Sequence, residues 1–188
     1  MHRYVILVLF IGLCVGSNFV VNGDFELPLT NGWNQYSANG YGGITRGVAY
    51  HPDADYEAYV YRQGSGGLGG GYERLYQTID IVIPLTHIDF GVFLKLDAWD
   101  NGSSWAGAAC ALFYLDENDV TLGVTRICRE SAGCPWINTS TQHLIYASDT
   151  SWHAYSFNIN TELQNLSGVD PSVVAKITVA LIDTAYNC

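Results

Sequence analysis

Asp89-Phe90-Gly91-Val92-Phe93-Leu94-Lys95-Leu96-Asp97-Ala98-Trp99 is the stretch on which the fold turns. Phe90, Val92, Leu94, Leu96 and Ala98 recur at every second position, with Phe93, Lys95, Asp97 and Trp99 between them. A period of two puts alternate side chains on opposite faces of a strand, whereas a helix gathers apolar residues three and four apart. The first set reads as core, and the second as an outward face carrying two aromatics, a cation and a carboxylate. Comparable β-rich runs separated by turn clusters cover residues 19–25, 57–63, 73–82, 107–115, 122–130, 152–159 and 173–185, and only 161–167 reads as a short helical turn. About eight strands at this rhythm predict an all-β fold, an antiparallel β-sandwich, rather than alternating strands and helices.

Composition agrees. Charged residues make up only 14% of the chain and aromatics 13%, with 13 Tyr, 5 Trp and 20 Gly, a usage that suits pleated surfaces and turns more than helices. Acidic residues outnumber basic ones 18 to 8, for a formal charge of -10. That balance argues against nucleic acid as a partner, because binding a polyanion draws on clustered Lys and Arg. Lys95 and Lys176 are the only lysines, so polybasic adhesion to anionic lipid is also disfavoured. A neutral ligand or a cation fits better.

At the N-terminus, Arg3 precedes an apolar run over residues 4–15 and the small residues Gly16 and Ser17. This is the order of a secretory signal peptide, and the run is too short for the ~20 apolar residues of a comfortable membrane span. Residues 1–17 are therefore expected to be a signal peptide that takes Cys14 with it, and 18–188 a single extracellular domain without stable membrane insertion. Export favours disulfides. Cys128 and Cys134 flank a Gly-containing loop and are the first choice for a local bridge, leaving Cys110 for Cys188. Zinc is the weaker reading, since there is no C-x-x-C and no His at ligand spacing beside these cysteines. Asn101, Asn138 and Asn165 each open an N-x-S/T sequon and mark the chain as a candidate glycoprotein.

Several pieces in order carry a family resemblance: Val21-Asn22-Gly23-Asp24-Phe25-Glu26 with Gly32-Trp33, Leu75-Tyr76-Gln77-Thr78-Ile79, Leu94-Lys95-Leu96-Asp97-Ala98, Phe113-Tyr114-Leu115-Asp116, and Trp152-His153-Ala154-Tyr155-Ser156-Phe157. Together they resemble the carbohydrate-binding modules of the galactose-binding-domain-like jelly-roll superfamily, over nearly all of residues 18–188. The resemblance implies a jelly roll and a structural calcium near the first strand, with Glu26 at the acidic position. It also implies a final strand opened by an Asp-Asn pair, which has no counterpart before Cys188. A sheet lacking that strand would be open to self-association.

Neutral-sugar recognition on a β-sandwich needs flat aromatic rings beneath the pyranose and a few polar groups for its hydroxyls. Trp99 and Trp105 flank the Asp100-Asn101-Gly102 turn, and Tyr59 and Tyr61 share one face of a strand; these four are the expected platform, with Asp97 and Lys95 as polar partners. Trp33 reads as packing, and Gln77, in step with Leu75 and Ile79, as a buried hydrogen-bonded amide. No catalytic constellation emerges. The Gly64-Ser65-Gly66-Gly67-Leu68-Gly69 run matches a dinucleotide-loop pattern but no helix follows it, and Asp53-Asp55 and Asp116-Glu117-Asp119 read as solvated turns. The expectation is a secreted, non-catalytic carbohydrate-binding module for a neutral glycan or polysaccharide. The alternative is a structural or adhesive extracellular surface or filament subunit assembling through an open sheet edge.

Overall fold

The computed structural model describes residues 5–8, 18–38, 41–49, 55–63, 70–100, 102 and 104–186. Among these the strands are β1 (Val5–Val8), β2 (Asn34–Ser37), β3 (Gly42–Gly47), β4 (Glu57–Arg62), β5 (Gly70–Asp80), β6 (Asp89–Lys95), β7 (Trp105–Leu115), β8 (Thr121–Glu130), β9 (Gln142–Tyr146), β10 (His153–Asn158) and β11 (Lys176–Tyr186), with one helical turn, α1 (Ile159–Glu162). They form a five-stranded sheet, β10-β6-β1-β4-β3, and a six-stranded sheet, β2-β5-β11-β7-β8-β9. The two sheets pack face to face, as the period-two patterns predict.

Three expectations need correction. The pairing is not wholly antiparallel: β8 and β9 run parallel, because residues 131–141 cross over instead of turning back as a hairpin. Residues 19–25 are not a strand. Asn22 and Phe25 have φ of 51° and 57°, outside the β region, and the Asn22 side chain holds the turn by accepting from Leu27 N and donating to the carbonyls of Leu27 and Pro28. The strand count also exceeds eight: β1 falls in the run read as a signal peptide, and β2, β3 and β9 lack strong apolar alternation and are strands through their neighbours' hydrogen bonds. The helical turn lies where expected. Asn158 caps it by accepting from the amides of Asn160 and Thr161, the usual way an Asx side chain satisfies orphan helix donors.

The opening motif still seeds the core. Phe25 is fully buried with its ring 5.2 Å from that of Trp33, and the Trp33 indole donates to the Asn22 carbonyl. Trp33 is structural, as read. So is Gln77, which points inward and accepts from Val21 N at 2.8 Å while donating to the carbonyls of Val21 and Gly32. One amide thus ties the turn to β5. Phe90, Val92 and Leu94 enter the same core, facing Leu112 and Leu181 of the other sheet.

Two polar knots interrupt this apolar interior. Arg62 from β4 meets Glu73 of β5 at 3.2 Å, and its backbone N–H donates to Asp183 of β11 at 2.8 Å; all three side chains are buried. Gly42 and Gly71 leave the room for them, since a Cβ at either would stand 2.5 Å or less from the Glu73 or Arg62 side chain. Burial pushes the Asp183 carboxyl well above its ordinary range, against the opposing pull of the Arg62 and Thr184 amides. The second knot runs from the Tyr114 hydroxyl to Thr125, from Thr125 to Glu162, and from Glu162 to His143 at 2.5 Å. It clasps α1 to β8 and β9.

Val5–Val8, inside the expected signal peptide, forms the middle strand of the five-stranded sheet. The 64–69 glycine run and Cys188 lie outside the described residues, as does Asn101.

Candidate ligand-binding faces

The expected site residues divide between two opposite faces of the sandwich. On the outer face of the five-stranded sheet lie Tyr59, Tyr61, Phe93 and Lys95. Tyr59 and Tyr61 stack with centroids 4.9 Å apart, and Ile6 of β1 stands in register with both Tyr59 and Lys95, separating them. Phe93 stacks on Trp152 at 5.2 Å. Tyr59 is only 6% exposed, so its ring offers no free face to a sugar, and its assignment as a platform is withdrawn. Asp97 and Trp99 lie beyond the end of β6; Trp99 is 55% exposed.

Trp105 belongs to the other face. In β7, Ala108, Cys110, Leu112 and Tyr114 point into the core, so Trp105, Gly107, Ala109, Ala111 and Phe113 point outward from the six-stranded sheet. Register carries that outward face across β11 to Tyr186, Thr184, Ile182, Ala180 and Thr178, and on to Tyr72, Arg74 and Tyr76 of β5. On the far side it reaches Arg126 and Cys128 of β8, then Leu144 and Tyr146 of β9.

The middle of this face is built of small residues covered by larger neighbours. Gly107, Ala109, Ala111 and Ala180 are buried and small. On one flank Tyr36 stacks on Tyr72 at 4.8 Å, and the Arg74 guanidinium lies 4.0 Å over the Tyr76 ring. On the other, Arg126 sits between the rings of Phe113 at 5.8 Å and Trp136 at 5.2 Å and donates to Gln142. Trp136 leans over Gly107, where a Cβ would meet the indole at 2.9 Å. Burial lowers the Arg126 guanidinium from its ordinary value, yet at pH 7 an arginine stays charged. Trp105 and Tyr186 stack at one end, 6.1 Å apart. Beside the Arg126 flank opens a pocket of about 360 Å³ lined by Thr121, Val124, Ile137, Thr139, Thr141 and Gln142.

Tyr36, Tyr72, Tyr146 and Tyr186 are all exposed on this face. Exposed aromatic rings, two guanidinium groups and neighbouring hydroxyls can stack on flat polyol rings and bond their hydroxyls. Part of this was readable: Tyr72, Arg74 and Tyr76 alternate along β5 against Glu73, Leu75 and Gln77. The contributions of Phe113, Arg126 and Trp136 depend on cross-strand register and a crossover, which no local pattern reveals.

Compared with protein-family models and with curated proteins, the chain matches none. No helix among the described residues is long and apolar enough to cross a membrane.

The remaining expected sites are placed as follows. Glu26 is exposed and accepts from Tyr56 N, while the Arg46 guanidinium donates to the carbonyls of Phe25 and Glu26. These contacts place a guanidinium cation beside Glu26. Cys110, Cys128 and Cys134 are unpaired, so the expected Cys128–Cys134 bridge is not formed. Cys110 points into the core and Cys128 to the outer face, on opposite sides of their sheet. Asn138 and Asn165 are exposed, but each side chain is engaged, with Leu144 N and with Glu162.

Proposed function

We propose that this chain is a secreted carbohydrate-binding module that holds a neutral glycan along the outer face of its six-stranded sheet. The observation that carries the reading is the concentration of exposed Tyr rings, with Trp105 and two ring-stacked arginines, on one face of the sandwich. The order of segments that resembles the galactose-binding-like jelly rolls supports it independently. Sugar rings would stack on Tyr72, Tyr186 or Trp105, with Arg74 and Arg126 donating to hydroxyls. Of the residues first expected, Trp105 lies on this face, and Tyr61 and Lys95 belong to the opposite sheet.

Affinity electrophoresis through gels containing neutral polysaccharides tests the assignment. A retarded protein whose retardation is weakened at least tenfold (~1.4 kcal/mol) by Tyr72→Ala or Trp105→Ala, and unchanged by Tyr61→Ala, is the expected result. Retention lost through Tyr61→Ala alone would move the site to the opposite sheet. No retention on any polysaccharide would remove the reading.

A further inference from the structure

β4 and β6 run parallel to one another, and β1 lies between them, antiparallel to both. Val5, Ile6 and Leu7 stand opposite Val60, Tyr59 and Ala58; Ile6, Leu7 and Val8 stand opposite Lys95, Leu94 and Phe93. Paired strands lie ~4.8 Å apart, so without β1 the two neighbours would be roughly 9–10 Å apart and unable to bond each other. The sheet would separate into two ribbons, β10-β6 and β4-β3, each with a fresh edge of unpaired N–H and C=O groups.

Isolated two-stranded ribbons are marginal, and these two share one core. Ala58 and Val60 come from one, Phe90, Val92 and Leu94 from the other. β1 also faces β7 and β11 across the sandwich, so the space between the ribbons opens onto the interior. Its occupant, however, lies within the run of Arg3, apolar residues and small Gly16 and Ser17 that reads as an export signal. Val, Ile and Leu serve both purposes: they make a signal's apolar region and a good buried strand.

We infer that the space between β4 and β6 is a strand-acceptor groove, filled in the unprocessed chain by its own Val5–Val8 and opened by processing to an apolar peptide strand supplied from outside the domain. The incoming strand runs antiparallel to both neighbours and adds to the sheet through backbone hydrogen bonds, with apolar side chains setting its register. The groove lies in the sheet opposite the proposed glycan face, so glycan retention on the same samples is read independently.

The test uses the full chain with a protease site placed within residues 9–17, cut after folding and then freed of the released N-terminal fragment. The probe is a labelled peptide of residues 4–9 carrying a soluble lysine tail. The cut chain should take up one peptide, at least tenfold more tightly than the uncut chain does, and amide exchange in β4 and β6 should slow on uptake while β5 and β11 stay unchanged. A peptide with proline in place of Ile6 should bind at least tenfold more weakly. Equal uptake by cut and uncut chain, or equal uptake of the proline peptide, overturns the inference. So does a cut chain whose β4 and β6 amides are fully protected without peptide, whether by closure of the gap or by self-association. Should the cut chain lose its fold, Ile6→Pro in the uncut chain decides: selective loss of protection in β4 and β6 supports the groove, and unchanged protection overturns it.

Discussion

Arg62, Glu73 and Asp183 show how single side chains carry consequences beyond their size. Arg62 is the only cation joined to the buried Glu73 carboxylate by a described ion pair. Arg62→Met should therefore cost ~3–5 kcal/mol, the usual penalty for leaving a buried charge without its partner, measured as a fall in urea stability. Asp183 is the opposite case. Its folded pKa is raised by burial, so its contribution is fully present below the ordinary aspartate value and is lost as pH rises through the raised one. Asp183→Asn keeps an oxygen to accept from Arg62 N and should flatten the loss of stability with rising pH; an unchanged slope between pH 5 and 8 would refute this. Gln77→Leu strands the Val21 amide and the carbonyls of Val21 and Gly32, and should cost ~1–3 kcal/mol or more in thermal or urea unfolding. Gln77 was legible from strand parity alone. The Arg62 cluster was not, because its members are separated in sequence and meet only across the sandwich.

Among the elements, the strongly alternating strands were readable and the others were not. β6 declares its faces through Phe90, Val92 and Leu94 against Phe93 and Lys95. β2, Asn34–Ser37, is exposed at every position and is a strand only because β5 pairs with it. The segment around Asn22 errs the other way: Phe and Val gave it the composition of a strand, while Asn22 and Gly23 supplied turn chemistry that prevailed. The β8–β9 crossover places Cys134 near Cys128 without bonding them. Burial is the main cause that pushes the Cys110, Cys128 and Cys134 thiols up to about 12, so almost none is thiolate at pH 8. Folded, reduced protein should resist iodoacetamide at that pH and label on unfolding, as read by intact mass. Rapid labelling of the native state would show that the crossover opens.

For the whole molecule, the two outer faces have different characters. One carries a β1-filled sheet with a covered Tyr59; the other carries exposed aromatics around a buried centre of small residues. Tyr186 is exposed at one end of that face and stacked with Trp105. Tyr186→Ala should weaken polysaccharide retention at least tenfold (~1.4 kcal/mol), while circular dichroism and the unfolding midpoint change far less than for Arg62→Met. Retention that survives would place the ligand elsewhere. A neutral glycan carries no charge for salt to screen, so retention should not depend on salt concentration.

By itself the sequence determined the all-β sandwich, the inward faces of its strongest strands, the buried roles of Trp33 and Gln77, and a surface poor in cations and rich in aromatics. These follow from local periodicity and composition, which act over a few residues. Only the tertiary structure decided which aromatics share a face, that Trp105 and Tyr59 are on opposite sides, and that Arg62, Glu73 and Asp183 meet. Strand order and register set those relations, and they are fixed by hydrogen bonds between segments up to about a hundred residues apart, such as Thr78 and Thr178, which leave no trace in any single stretch of chain.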